Sequence, residues 1–205
     1  MFRIFGPPGT GKTTTLLNMV DKAFDEGVRP QDIAFLAFTR KAANEAKERA
    51  CARFNLNPKE DLIYFRTLHS LALHLTGIRT EQIMQKEHYK ELSHAIGVTL
   101  VTNNIGGDDF LDLNKATDPI LNIIDLARLK KIPLREQYNQ SEIDEVWNTV
   151  HYVSESLTKY KKLYKLFDFT DMLELFSKKA QSFKYRFKLT FLDEAQDLSP
   201  LQWDI

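Results

Sequence analysis

Gly6-Pro7-Pro8-Gly9-Thr10-Gly11-Lys12-Thr13 satisfies G-x-x-x-x-G-K-[ST] at each fixed position. At that spacing consecutive backbone N–H groups can ring a phosphate, and a helix starting at Lys12 turns its positive dipole end toward the same anion. Lys12 would reach the β- and γ-phosphates and the Thr13 hydroxyl would ligate Mg²⁺, with Thr14 next in line. Gly9 and Gly11 allow a backbone approach that side chains would block. With Gly at about 7% of average proteins, a chance match in a chain this long has a probability on the order of 1%. The residues expected to hold a nucleotide are therefore Gly6, Pro7, Pro8, Gly9, Thr10, Gly11, Lys12, Thr13 and Thr14.

A second group lies near the other end, in Leu189-Thr190-Phe191-Leu192-Asp193-Glu194-Ala195-Gln196-Asp197. An apolar strand that delivers an Asp at its carboxyl end is where an α/β sheet places its Mg²⁺-handling carboxylate. Asp193 would hold the metal through its water shell, and Glu194 would polarise an attacking water as general base.

Both groups need a sheet to position them. Short apolar runs at Arg3–Phe5, Ile33–Phe38 and Leu189–Leu192, with a fourth at Leu62–Phe65, predict strands of a parallel sheet covered on both faces. Leu16, Leu17, Val20 and Phe24 fall at helical spacing, which predicts a helix from Lys12 to Phe24 stopped by Gly27 and Pro30. Ala42, Ala43, Ala46 and Ala50 give the segment Lys41–Phe54 a small-residue face that can pack closely on a sheet. From about Thr76 to Ser182 the pattern changes to amphipathic helices, at Glu81–Ile96, Asp118–Leu129, Glu142–Leu166 and Asp171–Ala180. Breaks fall at Gly106-Gly107, Pro119 and Pro133. The expected architecture is α/β, a parallel sheet whose strands lie at both ends of the chain, with an inserted all-helical subdomain. Residues 1–75 and 183–205 would form the sheet domain and 76–182 the insertion.

Composition sets bounds on function. The 205 residues carry 28 Lys+Arg against 28 Asp+Glu, so a uniformly basic nucleic-acid binder is excluded while local patches are not. The charge is uneven: His151–Thr190 holds nine Lys/Arg against four Asp/Glu, and Glu81–Ala127 holds three against eight. A single cysteine, Cys51, excludes an intramolecular disulfide and a multi-cysteine zinc site. No apolar run approaches the roughly 18–20 residues that span a bilayer, and the first residues do not form a signal h-region. The expected setting is the cytoplasm, away from membranes.

Taken with their order along the chain, these motifs resemble the UvrD/Rep-type DNA helicases of superfamily 1. Asp193–Gln202, DEAQDLSPLQ, is similar to the family's DExQD motif and its downstream LSPLQ. Phe38–Arg49, FTRKAANEAKER, resembles motif Ia, and Arg66–Leu73, RTLHSLAL, resembles motif Ib. Phe167–Leu173, FDFTDML, is similar to the DFDDLL stretch that closes the family's helical insertion. The resemblance implies that the sheet is a RecA-like P-loop NTPase sheet, incomplete here, of an ATP-dependent DNA helicase of 3′→5′ direction that uses ATP and Mg²⁺ and binds single-stranded DNA. Lys12, Asp193, Glu194 and Gln196 would be its catalytic set here, with Thr13 and Asp193 on the metal. Phe38, Thr39, Arg40, Thr67, His69 and Ser70 match the positions that face DNA, where an aromatic stacks on a base for about 1–3 kcal/mol regardless of sequence.

The match has departures. Arg40 stands for the usual Asn, Leu68 for the usual Phe and Thr170 for an Asp, and only five residues precede Gly6, which leaves no room for the family's adenine-reading Gln motif. Eight residues follow Asp197, so motif III, the second RecA-like domain and its arginines are expected to be absent. The chain by itself would then neither unwind DNA nor hydrolyse ATP quickly, since an arginine finger is worth about 10³–10⁵ in rate. The alternatives are a non-catalytic ATP- or DNA-binding module, or half of a split helicase acting with a partner chain that carries the second RecA-like domain. A small-molecule P-loop kinase would share the phosphate loop but need neither DEAQD with LSPLQ nor TLHS.

Overall fold

The computed structural model describes Ile4, Gly6 and residues 9–101, 118–180 and 187–205. Pro7 and Pro8 of the phosphate loop, the strand expected at Arg3–Phe5 apart from Ile4, and the break at Gly106-Gly107 lie outside the described residues. The chain divides into two compact units, one of Met1–Leu71 with Phe183–Leu198 and one of Ala72–Ser182 with Ser199–Ile205.

In the first unit, α1 (Lys12–Asp25) is followed by β1 (Ile33–Ala37), α2 (Arg40–Phe54) and β2 (Phe65–Thr67), and β3 (Leu189–Leu192) returns from the far end of the chain. The described strands form a parallel sheet in the order β2-β1-β3. Phe35 is in register with Phe65 on one side and Phe191 on the other. The three rings stack across the sheet at centroid separations of 5.2 and 6.3 Å. Leu17 and Val20 of α1 and Ala46 and Ala50 of α2 close over that row. Alanine suits the position because a helix can approach the rings closely only where its own side chains are short.

Two expectations for the strands need correction. The apolar run Leu62–Phe65 is not the strand: Leu62 is buried but turned, with Phe65 N donating to Leu62 O at 3.1 Å, and the ladder with β1 runs over Phe65–Thr67. The run marked core burial, and the hydrogen-bond register lay beyond it. Nor is β3 covered on both faces, since Leu189 and Thr190 are exposed; with β2 it is one of the two outer strands among the described residues.

α3 (Leu68–Thr76), which the sequence reading did not assign as a helix, leads into the second unit. There follow α4 (Lys86–Ile96), α5 (Pro119–Lys130), α6 (Leu134–Asn139), α7 (Trp147–Tyr164), α8 (Phe169–Ala180) and α9 (Pro200–Trp203). The helix expected over Glu81–Ile96 is divided. Thr80–Gln82 is a 3₁₀ turn, Ile83 bridges Phe167, and the α-helix starts only at Lys86. The helix expected over Glu142–Leu166 begins at Trp147 because Ile143 reaches the core from irregular backbone, with Tyr138 Oη donating to Glu145 O. α6 was missed because it spans only six residues. One core joins α4, α5 and α7 through Leu92, Ile120, Ile124, Val150, Val153 and Leu157.

This unit also holds an ionic cluster that spacing could have announced. Asp168, Asp171 and Glu174 recur every three residues and so share a stripe at the start of α8. Arg128 of α5 meets all three, with Nη1 on Asp168 (2.9 Å), Nη2 on Asp171 (2.5 Å) and Nε on Glu174 (2.9 Å). Its own-helix neighbour Asp125 lies 3.8 Å away. Lys161 of α7 pairs with both Asp168 and Asp171. Thr170 Oγ1 donates to Asp125 Oδ1 at 3.0 Å, so the Thr in place of an Asp keeps one more carboxylate out of a cluster already rich in them. Desolvation, then repulsion from Asp168, raises the Asp125 pKa, although 35% of its side chain meets solvent. The folded state thus holds the Asp125 proton more tightly than the unfolded chain. Its contribution is complete below the ordinary carboxylate range and is lost as pH rises through the raised folded value. In urea titrations the stability of the parent relative to Asp125→Asn should therefore fall between pH 5 and pH 8, a comparison in which the other titrating groups cancel. A relative stability that stays constant or rises over that range would show that Asp125 ionises normally.

Candidate functional site

β1, β2 and β3 are parallel, so their carboxyl ends lie along one edge of the sheet. Register brings the motifs to that edge. Ala37 pairs with Thr67, so Phe38-Thr39-Arg40 and Leu68-His69-Ser70 leave neighbouring strands side by side. Leu36 pairs with Leu192, and Asp193 N donates to Leu36 O at 2.8 Å, which places the acidic motif on the other flank. Ligand sites of open α/β sheets form at this edge because the loops there are free of the ladder.

The phosphate loop enters α1 through Gly11, at φ +81°, a conformation open to glycine but costly for other residues. At Gly6 the constraint is space: a Cβ there would lie 2.6 Å from Thr10 Oγ1, so that hydroxyl would have to move. Lys12 Nζ donates to Gly6 O at 2.9 Å, so the ammonium folds back over the loop. Thr15 Oγ1 donates to Gly11 O at 3.1 Å in the first turn of the helix. Thr13 Oγ1 donates to Asp193 Oδ2 at 3.2 Å, across 180 residues of sequence. A hydroxyl and a carboxylate oxygen side by side, both only partly buried, make the hard-oxygen donor set that suits Mg²⁺, which keeps several waters and binds through one or two carboxylates.

Glu194 has φ +54°, and its N–H donates to Asp193 Oδ1 at 3.2 Å. Among the described residues the other non-glycine positions with positive φ (Asn55, Lys131 and Lys165) terminate α-helices, where this conformation is routine. Glu194 instead stands in the turn between β3 and the 3₁₀ turn Ala195–Asp197, and such strain persists only where the surroundings enforce it. Gln196 Nε2 donates to Glu194 Oε2 and so holds the carboxylate in place.

The residues matched to DNA-facing positions divide by exposure. Thr39 and Arg40 are exposed and Phe38 is half-buried at the end of β1. Thr39 Oγ1 accepts from Ala42 N at 3.1 Å and so caps α2, which leaves its own O–H to donate elsewhere. Ser70 is partly exposed, whereas Thr67 is 2% and His69 6% exposed. Thr67 Oγ1 accepts from Ser70 N at 3.2 Å. Burial lowers the His69 pKa to about 4, so at neutral pH the imidazole is uncharged and brings no cation to a phosphate backbone.

Residues 2–205 match the family described as UvrD/REP helicase N-terminal domain. The chain is 25% identical to the "Putative ATP-dependent DNA helicase YjcD" of Bacillus subtilis (strain 168), over 96% of this chain and 27% of that protein. It is 28% identical to the "ATP-dependent DNA helicase PcrA" of Leuconostoc citreum, over 98% of this chain and 28% of that protein. A "Probable DNA helicase II homolog" of Rickettsia conorii is 25% identical over 95% of this chain and 31% of its own length. The chain thus spans less than a third of the length of these relatives. No described helix is long and apolar enough to cross a membrane.

Proposed function

The chain belongs to the UvrD/REP helicase N-terminal domain family, and from that premise we propose that it is the nucleotide-binding part of an ATP-dependent DNA helicase of 3′→5′ direction. It binds Mg²⁺-ATP at Gly6–Thr14 and single-stranded DNA along Phe38–Arg40 and Thr67–Ser70. Residues 1–75 and 183–205 are the RecA-like part and 76–182 the helical insertion, and the protein works in the cytoplasm. The observation that supports this most is the Thr13–Asp193 hydrogen bond, which joins the phosphate loop to the acidic motif.

Thr13 and Asp193 would hold Mg²⁺, whose chemistry is to neutralise charge on the β- and γ-phosphates. Lys12 exchanges the Gly6 carbonyl for phosphate oxygens as ATP binds. Glu194, oriented by Gln196, accepts the proton of the attacking water. Gln196 touches both the carboxylate and the solvent edge, which suits a residue that reports the nucleotide state to the DNA-facing loops. A second RecA-like domain, on the same polypeptide or on a partner, completes the γ-phosphate site.

Fluorescence anisotropy of a labelled oligo-dT strand, with and without a non-hydrolysable Mg²⁺-ATP analogue, tests the reading. Binding of the strand, with an affinity altered by the analogue, is the expected result. Binding of the analogue but of no strand at low salt would overturn the DNA-binding part of the reading.

A further inference from the structure

The stretch from Glu142 to Lys165 carries opposite charges at its two ends. Glu142, Asp144 and Glu145 stand on the irregular backbone that leads into α7, and Lys159, Lys162 and Lys165 stand at its carboxyl end; all six are exposed. The lead is fixed in place, since Ile143 packs on the core and Tyr138 Oη holds Glu145 O. Lys159 lies 4.0 Å from Glu155 of its own helix. The other five have no ion-pair partner among the described residues.

Acids before a helix and lysines at its end suit the dipole of a single copy, so charge alone asks for no partner. The apolar residues do. Val146, Tyr152, Leu163 and Tyr164 are 64, 49, 73 and 57% exposed, and they make up half of the large apolar side chains left exposed among the described residues. Val150, Val153, Leu157 and Lys161 turn one face of α7 to the core. On the face away from it, Tyr152, Lys159 and Leu163 recur at i, i+7 and i+11, so a ring, a lysine stem and an aliphatic side chain form one stripe.

We propose that this outer face of α7 is the interface with a second copy of the chain, the two helices packing antiparallel about a two-fold axis beside Glu155 and Ser156. A two-fold interface requires a patch that complements itself. An antiparallel pair meets that requirement here because the axis exchanges the two ends of the helix. Asp144 and Glu145 then face Lys162 and Lys165 of the partner subunit, and the reverse. The spacing agrees, since Lys165 stands about as far past the middle of α7 as Glu145 stands before it. Tyr152 comes to lie against the partner's Lys159, and Leu163 against the partner's Asn148, so the stripe is covered in the same step. A parallel pair would set like charge on like charge. Nucleic acid suits the face less, because the acids at its amino end repel phosphate and Leu163 offers no ring to stack on a base. An acidic peptide would satisfy the lysines but set acid against acid at the other end.

Sedimentation velocity of the whole 205-residue chain over a micromolar concentration series tests this. The expected result is a monomer–dimer equilibrium, weakened in about 1 M salt, where the screening length falls to about 3 Å. Asp144→Lys with Glu145→Lys makes both ends positive, and Lys162→Glu with Lys165→Glu makes both ends negative. Each charge variant alone should raise the dissociation constant by about tenfold or more, because like charges now meet. An equimolar mixture of the two should restore the dimer, which no role of these residues within one copy would produce. Glu87→Lys, on α4, should leave the equilibrium unchanged. Leu163→Ser should weaken the dimer while the single copy keeps its fold, since that side chain is mostly in solvent; this variant decides the matter if the charge variants fail to fold. A parent chain that stays monomeric throughout overturns the proposal, and oligo-dT or acidic-peptide binding lost in the lysine variant would then give the face to that ligand. A mixture that stays monomeric, or a dimer that persists unchanged with Leu163→Ser, overturns it as well.

Discussion

Lys12→Ala is expected to weaken Mg²⁺-ATP binding by roughly 10–100-fold, the range given by losing a charge-assisted hydrogen bond worth about 1.5–3 kcal/mol. The ammonium already lies over the loop, 2.9 Å from Gly6 O, so it need move only a short way to reach phosphate oxygens. Its contact with that carbonyl is exposed, and the substitution should leave thermal unfolding nearly unchanged. Asp193→Asn should act differently. It removes the carboxylate charge beside Thr13, and its main effect should be a higher Mg²⁺ requirement with smaller loss of affinity at saturating metal. Titration with a fluorescent ATP analogue at several Mg²⁺ concentrations separates the two. Equal affinity for parent and Lys12→Ala would remove the nucleotide site from the Gly6–Thr14 loop.

The second large effect concerns stability. Arg128→Met should destabilise the helical unit by about 3 kcal/mol or more, the usual result of removing one partner from a buried ionic cluster. Arg128 serves Asp168, Asp171 and Glu174 with three different nitrogens, and the Asp168 side chain is only 5% exposed. Lys161 stays on Asp168 and Asp171 after the change, but it cannot also reach across to Glu174, and the cluster keeps a surplus of negative charge. Arg128→Lys should not rescue, because one ammonium cannot imitate a planar fork that meets three carboxylates. Hydrogen exchange is the suitable measurement, since a chain of two compact units need not unfold in one step. Faster exchange confined to α5, α7 and α8 is expected. Unchanged exchange there would mean that water compensates the carboxylates and the cluster adds little.

The elements that flank the candidate site were legible where they are local. The helix expected over Lys12–Phe24 is found over Lys12–Asp25, and the strand expected over Ile33–Phe38 over Ile33–Ala37, each depending on residues within a few positions of one another. The misreadings occurred where burial and hydrogen bonding separate. Leu62 is as apolar as a strand residue but sits in a turn, and Arg66 looks unlike one but occupies the ladder. His69 and Thr67 carry the residue types of a polar surface, and only the packing around β2 and α3 turns them inward.

By itself the sequence determined the family, the phosphate loop and the alternation of an α/β part with a helical one, since these follow from spacing along the chain. The tertiary structure alone decided which groups meet. Strand pairing set Thr13 against Asp193 and Thr67 beside Ala37, and helix packing set Arg128 among its acids. Such meetings depend on strand pairings and side-chain volumes far apart in sequence, and no local pattern encodes them.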